Sequence, residues 1–296
     1  MSSATVPAIP SVTLSNGAKL PAVGFGTWAA TVESAKAALD AGYRHFDGAI
    51  FYKTEKNVGE AIKLSGVPRS QLFLTGKIWG NHHDDPEVDL AQSLQDFGTD
   101  YLDLLLLHWP VKFDDCSFNF VNPRKTDIPA VWKKMEALVD TGKVKAIGVS
   151  NCSIKLLEEE LLPIARIKPV VNQVESHPYL QQKAMLEFGK KHGIHITAFS
   201  PLGGGNVDPN VVEDAAVAEI AKKHGVPATT VLLSWGVQRG TSVIPRSKTP
   251  ERIVQNLKLV TLDHEDLAAI DGIKTVKRYT DPTPMWGPQT YFIYQE

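Results

Sequence analysis

The stretch YRHFDGAIFY, residues 43–52, decides how this chain reads. Its apolar run closes on Asp47, and Tyr52 follows five residues later. Two further strand-like stretches repeat the arrangement: LFLTGKI (72–78) carries Lys77 at its end, and YLDLLLLH (101–108) ends on His108. One polar strand terminus is unremarked in any protein. Four of them at the ends of three successive strands, a carboxylate, a phenol, an amine and an imidazole, converge in one pocket if the strands are parallel neighbours. Such a pocket can give a proton to an oxygen or take one from it.

Working outward, strand-like and helix-like segments alternate along the chain. The strands are expected at Val23–Thr27, His45–Ala49, Leu72–Ile78, Tyr101–His108, Val144–Asn151, Val170–Glu175, His195–Ser200 and Ser242–Arg246. Helical patterns fit Val32–Ala41, Lys56–Leu64, Ile128–Asp140, Ile154–Leu162, Gln182–His192 and Val211–His224. Asp85-Pro86-Glu87 opens another helix with an N-cap and a first-turn proline, and Gly98 closes it; Thr249-Pro250-Glu251 opens one in the same way. Crossovers through helices make the strands parallel, and near-continuous apolar runs fit strands covered on both faces. Eight such strands favour a closed (β/α)8 barrel, the TIM barrel, over an open sheet. Gly24-Phe25-Gly26 lacks the spacing of a dinucleotide-binding glycine motif, which weakens a Rossmann reading. Val12–Leu14, Ser15-Asn16-Gly17 and Ala18–Leu20 read as a hairpin ahead of the barrel, a candidate cap. The tail from Arg278 is rich in proline and aromatics, so it is expected to pack over the barrel mouth.

At 296 residues the chain can bury a large core, and it is read as one domain, 1–296. A net charge of −2 provides no field for nucleic acid or an anionic membrane. Two cysteines, Cys116 and Cys152, do not make a disulfide framework. No signal-peptide pattern or membrane-length apolar run is present, so a cytoplasmic protein is expected. His82-His83-Asp84-Asp85 resembles a metal cluster in composition, but adjacent side chains do not converge on one ion.

The chemistry of the four residues is specific. A free phenol titrates near pH ~10 and is a poor acid at neutral pH; a neighbouring ammonium lowers that value. Lys77 is placed to supply the ammonium, Asp47 to hold Lys77 charged, and His108 to hydrogen-bond a substrate oxygen near Tyr52. The set suits proton donation to a carbonyl as a hydride arrives. No side chain donates hydride, so a redox reaction needs a cofactor.

At this point the sequence resembles the aldo-keto reductases over nearly its whole length, Leu20 to about Gly287. The stretches that carry the resemblance are VGFGTW (23–28), GYRHFDGA (42–49) with Tyr52 and VGEAI (58–62), TGKIW (75–79), Asp103 through HWP (108–110), GVSN (148–151), NQVE (172–175) with His177-Pro178, SPLG (200–203) and IPRS (244–247). The family's catalytic Asp, Tyr, Lys and His fall on Asp47, Tyr52, Lys77 and His108.

The resemblance implies NADPH lying extended over the barrel mouth, with Thr27, Trp28 and Asp47 among its contacts. Ser150, Asn151 and Gln173 match the residues that hold the nicotinamide carboxamide, and Phe199 stands where the family usually stacks a tyrosine on the ring. Ser200 and Leu202, with the glycines after them, match the pyrophosphate loop. Arg246, Ser247, Lys248 and Arg252 match the 2′-phosphate site, and Gln255 and Asn256 the adenine contacts. Two arginines, a lysine and a hydroxyl also suit a dianion on chemical grounds. Trp28, Trp79 and Trp109, with Tyr52 and His108, are expected at the substrate, and Phe118, Phe120 and Trp286 on the pocket wall.

The chain departs from the common family pattern at Gly48, often threonine, at Arg246, often lysine, and in a short loop between His108 and Ile128. The expected function is NADPH-dependent reduction of aldehydes or ketones, small sugars or polyol-related aldehydes above all, by a monomer or weak dimer. The alternatives are a nucleotide-sensing regulatory subunit on the same fold, against which the intact Tyr52–Lys77 pair argues, and a metal-dependent barrel hydrolase, which lacks a ligand cluster.

Overall fold

The computed structural model describes residues 9–115, 120–205 and 207–294. Phe118 and Cys116 therefore lie outside the described residues. The chain opens with an antiparallel hairpin, β1 (Ser11–Thr13) and β2 (Lys19–Pro21). The strands that follow are β3 (Phe25–Gly26), β4 (His45–Asp47), β5 (Phe73–Ile78) and β6 (Leu104–Leu107), then a small side hairpin of β7 (Val111–Lys112) and β8 (Arg124–Lys125), then β9 (Ile147–Ser150), β10 (Val171–Glu175), β11 (His195–Phe199) and β12 (Ser242–Val243). Eight of these make one parallel sheet in the order β3-β4-β5-β6-β9-β10-β11-β12. Its two edges meet: Val23 bridges Val243 in parallel, and the Gly24 N–H donates to the Val243 carbonyl at 2.8 Å. The ring of strands is thus closed, as the eightfold alternation predicts.

Closure explains the composition of the strands. Every residue of β5 and of β6 is buried, because helices cover one face and the barrel interior the other. The helices are α1 (Val32–Ala41), α2 (Glu55–Ser65), α3 (Pro86–Phe97), α4 (Ile128–Asp140), α5 (Ile154–Leu156, continued by a π turn over Leu157–Leu161), α6 (Lys183–His192), α7 (Ala215–His224), α8 (Ala228–Gln238), α9 (Pro250–Gln255), α10 (His264–Asp271) and α11 (Thr283–Trp286). Leu14 and Leu20 of the first hairpin pack against Phe73, Leu104, Ala146 and Val170, near the strand beginnings. The hairpin therefore caps the amino end of the barrel, leaving the carboxyl end for the site.

Three local expectations change. Asp85 precedes α3 as an N-cap, but its side chain makes no capping bond, so Pro86 and the Gly98 stop define that helix. The helix expected over Val211–His224 is interrupted. A 3-10 turn, Val211–Glu213, ends at Asp214, whose carboxylate accepts from the Ala216 N–H and so starts α7 as a separate helix. An extra helix, α8, stands between β11 and β12.

Candidate active site

β4, β5 and β6 are hydrogen-bonded neighbours, so Asp47, Lys77 and His108 reach the same end of the barrel. Lys77 is wholly buried and donates to Asp47 Oδ1 and, at 2.7 Å, to the Gly48 carbonyl. The other Asp47 oxygen accepts from Gln173 Nε2 at 2.6 Å. Tyr52 ends a 3-10 turn, Ile50–Tyr52, after β4. The turn brings the Tyr52 hydroxyl to 3.4 Å from His108 Nε2, with Lys77 Nζ 5.0 Å from the ring centre. Thr27 ties the neighbouring strand end down by donating to the Asp47 carbonyl at 2.9 Å.

The electrostatics follow from burial and this geometry. Burial pushes the Lys77 ammonium down, but Asp47 and Tyr52 push it up by more, and it ends above its ordinary value. Burial holds His108 well below the usual imidazole range, with the Lys77 charge adding to the effect, so the ring is neutral at physiological pH. Burial raises the Tyr52 phenol. Lys77 lowers it, as the sequence predicts, yet the net shift is upward. The phenol is therefore a protonated group with a cation poised to accept its anion. That makes it an acid rather than a resting phenolate.

The dinucleotide candidates lie along the same end of the barrel. Ser150 donates to the Gln173 carbonyl at 2.7 Å, and Asn151 Nδ2 to Ser150 Oγ and to the His108 carbonyl, both at 2.9 Å. Asn151 and Ser200 follow strand ends with φ of 59° and 46°, left-handed values that side-chain-bearing residues seldom adopt and that recur at functional turns. Phe199, Ser200 and Leu202 are half-buried, leaving surface for a ligand. Beyond β12, Arg246, Lys248 and Arg252 are exposed, and none forms an ion pair among the described residues. Ser247 Oγ accepts from the Thr249 N–H, Gln255 donates to Thr230 at 2.8 Å, and Asn256 is buried at the end of α9. Unpaired cations beside a hydroxyl have the chemistry a phosphate monoester needs.

The wall over Tyr52 is aromatic. Trp28, exposed, packs edge-on to Tyr52 at 5.1 Å between ring centres. Trp79 lies 5.2 Å from His108, and Trp109 lies 5.1 Å from Trp286. Trp286, from α11, also contacts Phe120 at 5.7 Å, so the C-terminal tail does close over the mouth. Two wall residues were not singled out in the sequence. Phe51 stacks on Trp79 at 3.9 Å, and Phe113 stacks on the same ring at 5.5 Å. Their signal was position alone, one beside Tyr52 and one in the loop after His108. That loop is not plain coil, since it folds back as the β7–β8 hairpin.

Gly48 turns away from this wall. A Cβ there would stand 2.7 Å from Phe97 and 3.0 Å from Glu55 Oε1. The departure from threonine is thus explained by helix packing behind β4 and not by the substrate pocket. Glu55 is itself buried, with Oε2 accepting from Ser93 at 2.7 Å and Oε1 lacking a partner among the described residues. Burial pushes its carboxyl up to about 8. Elsewhere, His82 is hydrogen-bonded to Asp89 and His83 to Thr126, and no cluster able to hold a metal ion occurs among the described residues.

Comparison with known proteins agrees with this geometry. Residues 22–275 match the model of the aldo/keto reductase family. The chain is 40% identical to an aldehyde reductase of Saccharomyces cerevisiae, over 93% of this chain and 94% of that one. It is 42% identical to an aldose reductase of Encephalitozoon cuniculi, over 94% and 97% of the two chains. It is also 42% identical to a glycerol 2-dehydrogenase (NADP(+)) of Saccharomyces cerevisiae, over 95% and 96%. With the barrel, the buried Asp47–Lys77 pair and these relatives in view, the chain belongs to the aldo/keto reductase family of enzymes.

Proposed function

We propose that this enzyme reduces aldehydes and ketones to alcohols with NADPH, Tyr52 giving the proton. The observation that carries this reading is the buried Lys77, held between Asp47 and the Gly48 carbonyl beneath Tyr52. When bound, NADPH supplies the hydride. Tyr52 donates its hydroxyl proton to the carbonyl oxygen as negative charge develops there. Lys77 stabilises the phenolate left behind, and Asp47 keeps Lys77 charged. Neutral His108, 3.4 Å from the Tyr52 hydroxyl, orients the carbonyl. The aromatic wall excludes water, which strengthens each of these interactions.

For the cofactor, Ser150, Asn151 and Gln173 suit an amide, which both donates and accepts. Phe199 offers a ring for the nicotinamide without a hydroxyl. Ser200 and Leu202 flank the pyrophosphate, Arg246, Ser247, Lys248 and Arg252 take the 2′-phosphate, Gln255 and Asn256 face adenine, and Thr27 and Trp28 complete the inner end. The substrates are small sugars or polyol-related aldehydes, a reading supported by relatives named for aldose and glycerol. Residues 1–296 act as one barrel domain, in a monomer or weak dimer. A panel of aldehydes, aldopentoses and glyceraldehyde, followed by loss of NADPH absorbance, tests the reading. Turnover of at least one class supports it, and no turnover of any carbonyl with NADPH or NADH overturns it.

A further inference from the structure

Glu175, the last residue of β10, is wholly buried and belongs to none of the catalytic groups. Its Oε1 accepts from His177 Nε2 at 2.8 Å and from the Tyr279 N–H at 2.7 Å, and its Oε2 accepts from the Thr280 N–H at 2.8 Å. A buried carboxylate with three donors is fixed in place, and here two of the donors are backbone groups of the C-terminal segment. Burial pushes the carboxyl up, but the His177 and backbone donors pull it below the usual range, so it is ionised at neutral pH.

The segment held in this way reaches across to the glycines after Leu202. A Cβ at Gly204 would stand 2.5 Å from Tyr279 Cδ1, and one at Gly203 would stand 2.9 Å from Tyr279 Cε2. The Tyr279 ring therefore lies directly on this loop, and its hydroxyl donates to the Pro209 carbonyl farther along it. The ring also sits 5.0 Å from His177, so pin and ring share one cluster. The sequence has triple glycine at 203–205, which on its own would be a loose turn.

We propose that Glu175 is a positioning residue for the cofactor: it pins the backbone of Tyr279 and Thr280, so that the Tyr279 ring holds the Gly203–Gly204 loop shaped for the dinucleotide pyrophosphate. The proposal rests on the cofactor reading given above. Its physical basis is entropic: a glycine loop that is ordered before binding has less freedom to lose when the ligand arrives.

The test measures NADP⁺ dissociation by stopped flow, and binding of NADP⁺ and adenosine 2′-monophosphate by calorimetry, in Glu175→Gln, Tyr279→Ala, Tyr279→Phe and Arg252→Ala. Glu175→Gln and Tyr279→Ala are expected to release NADP⁺ on the order of 10-fold faster, about the free energy of ordering one loop residue. Both should bind adenosine 2′-monophosphate as wild type does, because that ligand has no pyrophosphate. Tyr279→Phe keeps the ring and should stay within a few-fold of wild type. Unchanged NADP⁺ release in both Glu175→Gln and Tyr279→Ala, with Arg252→Ala still weakening NADP⁺, overturns the latch and leaves the cofactor reading standing. Equal weakening of both ligands also overturns it, since that is a general structural defect. If Arg252→Ala leaves NADP⁺ binding untouched, the cofactor reading fails and the latch with it. Should Glu175→Gln not fold, the two Tyr279 variants decide alone.

Discussion

Gln173 Nε2 lies 2.6 Å from Asp47 Oδ2, joining two strands on opposite sides of the barrel. Asp47 is thereby held at both oxygens, by Lys77 on one and Gln173 on the other. The carboxylate beside Lys77 cannot swing away, and the glutamine proposed for the nicotinamide is wired through it to the Lys77–Tyr52 pair proposed to give the proton. Preorganisation of this kind is where barrel enzymes obtain much of their rate.

Lys77→Met should cost on the order of 3–5 kcal/mol of stability, because it leaves the Asp47 charge buried without its cation. Adding Asp47→Asn should recover a large part of that loss, and neither variant should regain activity. For the single variant, the high-pH fall in residual reduction should move to higher pH. Lys77 lowers the Tyr52 phenol, so its removal raises the phenol further. Denaturant melts and a pH–rate profile check both parts. Equal stability of single and double variants, or a limb that moves to lower pH, contradicts the account.

Gly48→Thr should destabilise the fold by about 1–3 kcal/mol, the usual cost of overpacking. The added atoms would meet Phe97 and Glu55, not the substrate. KM for the best aldehyde should stay within a few-fold of wild type. A large change in substrate preference at unchanged stability would mean that position 48 faces the pocket.

Glu55 should contribute a loss of stability as pH rises from about 4.5 to about 8, opposing the gain from histidines that burial keeps neutral, such as His45 and His195, and Glu55→Gln should remove that contribution from the slope. The native Glu55 carboxyl titrates at about 8 against 4.5 for its reference value. Within that window the unfolded chain releases the proton and the native state keeps it, so raising the pH favours unfolding. Above the window both states are ionised and the contribution is constant. Chemical denaturation at several pH values checks it, and an identical slope in wild type and Glu55→Gln would remove Glu55 as the source.

Arg252→Ala should weaken NADPH binding by roughly 10- to 100-fold and hardly touch NADH, which has a hydroxyl where NADPH carries the phosphate. Arginine forks bind a phosphate bidentately, so Lys should restore only part of the loss. Fluorescence titration of both cofactors reads the difference. Equal weakening of the two would show that the exposed cations after β12 are only a solvated surface.

Much of this architecture was legible because it depends on periodicity and on strand ends. Asp47, Lys77 and His108 announce themselves as polar groups closing apolar runs, and Asn16-Gly17 marks the first hairpin. What escaped has physical reasons. Helix α8 is apolar almost all round: Val231, Leu232, Leu233 and Trp235 are all buried, so no polar face marks it. The break at Asp214 is a capping choice that helical periodicity runs straight through. Phe51 and Phe113 sit in turns, where an aromatic residue carries no pattern until neighbouring loops fold over it. The upward shift of Tyr52 was equally hidden, since the sequence shows its cation but not the depth at which the phenol is buried.

The most direct test of the central claim is Tyr52→Phe, assayed for carbonyl reduction and, separately, for NADPH binding. Removing the phenol hydroxyl beside Lys77 should slow reduction by at least ~100-fold, the lower range for general acid catalysis. NADPH affinity should remain close to that of wild type, because the lost hydroxyl bonds to no residue of the cofactor site. Reduction within a few-fold of wild type would contradict the assignment of Tyr52 and, with it, the mechanism built on Asp47, Lys77 and His108.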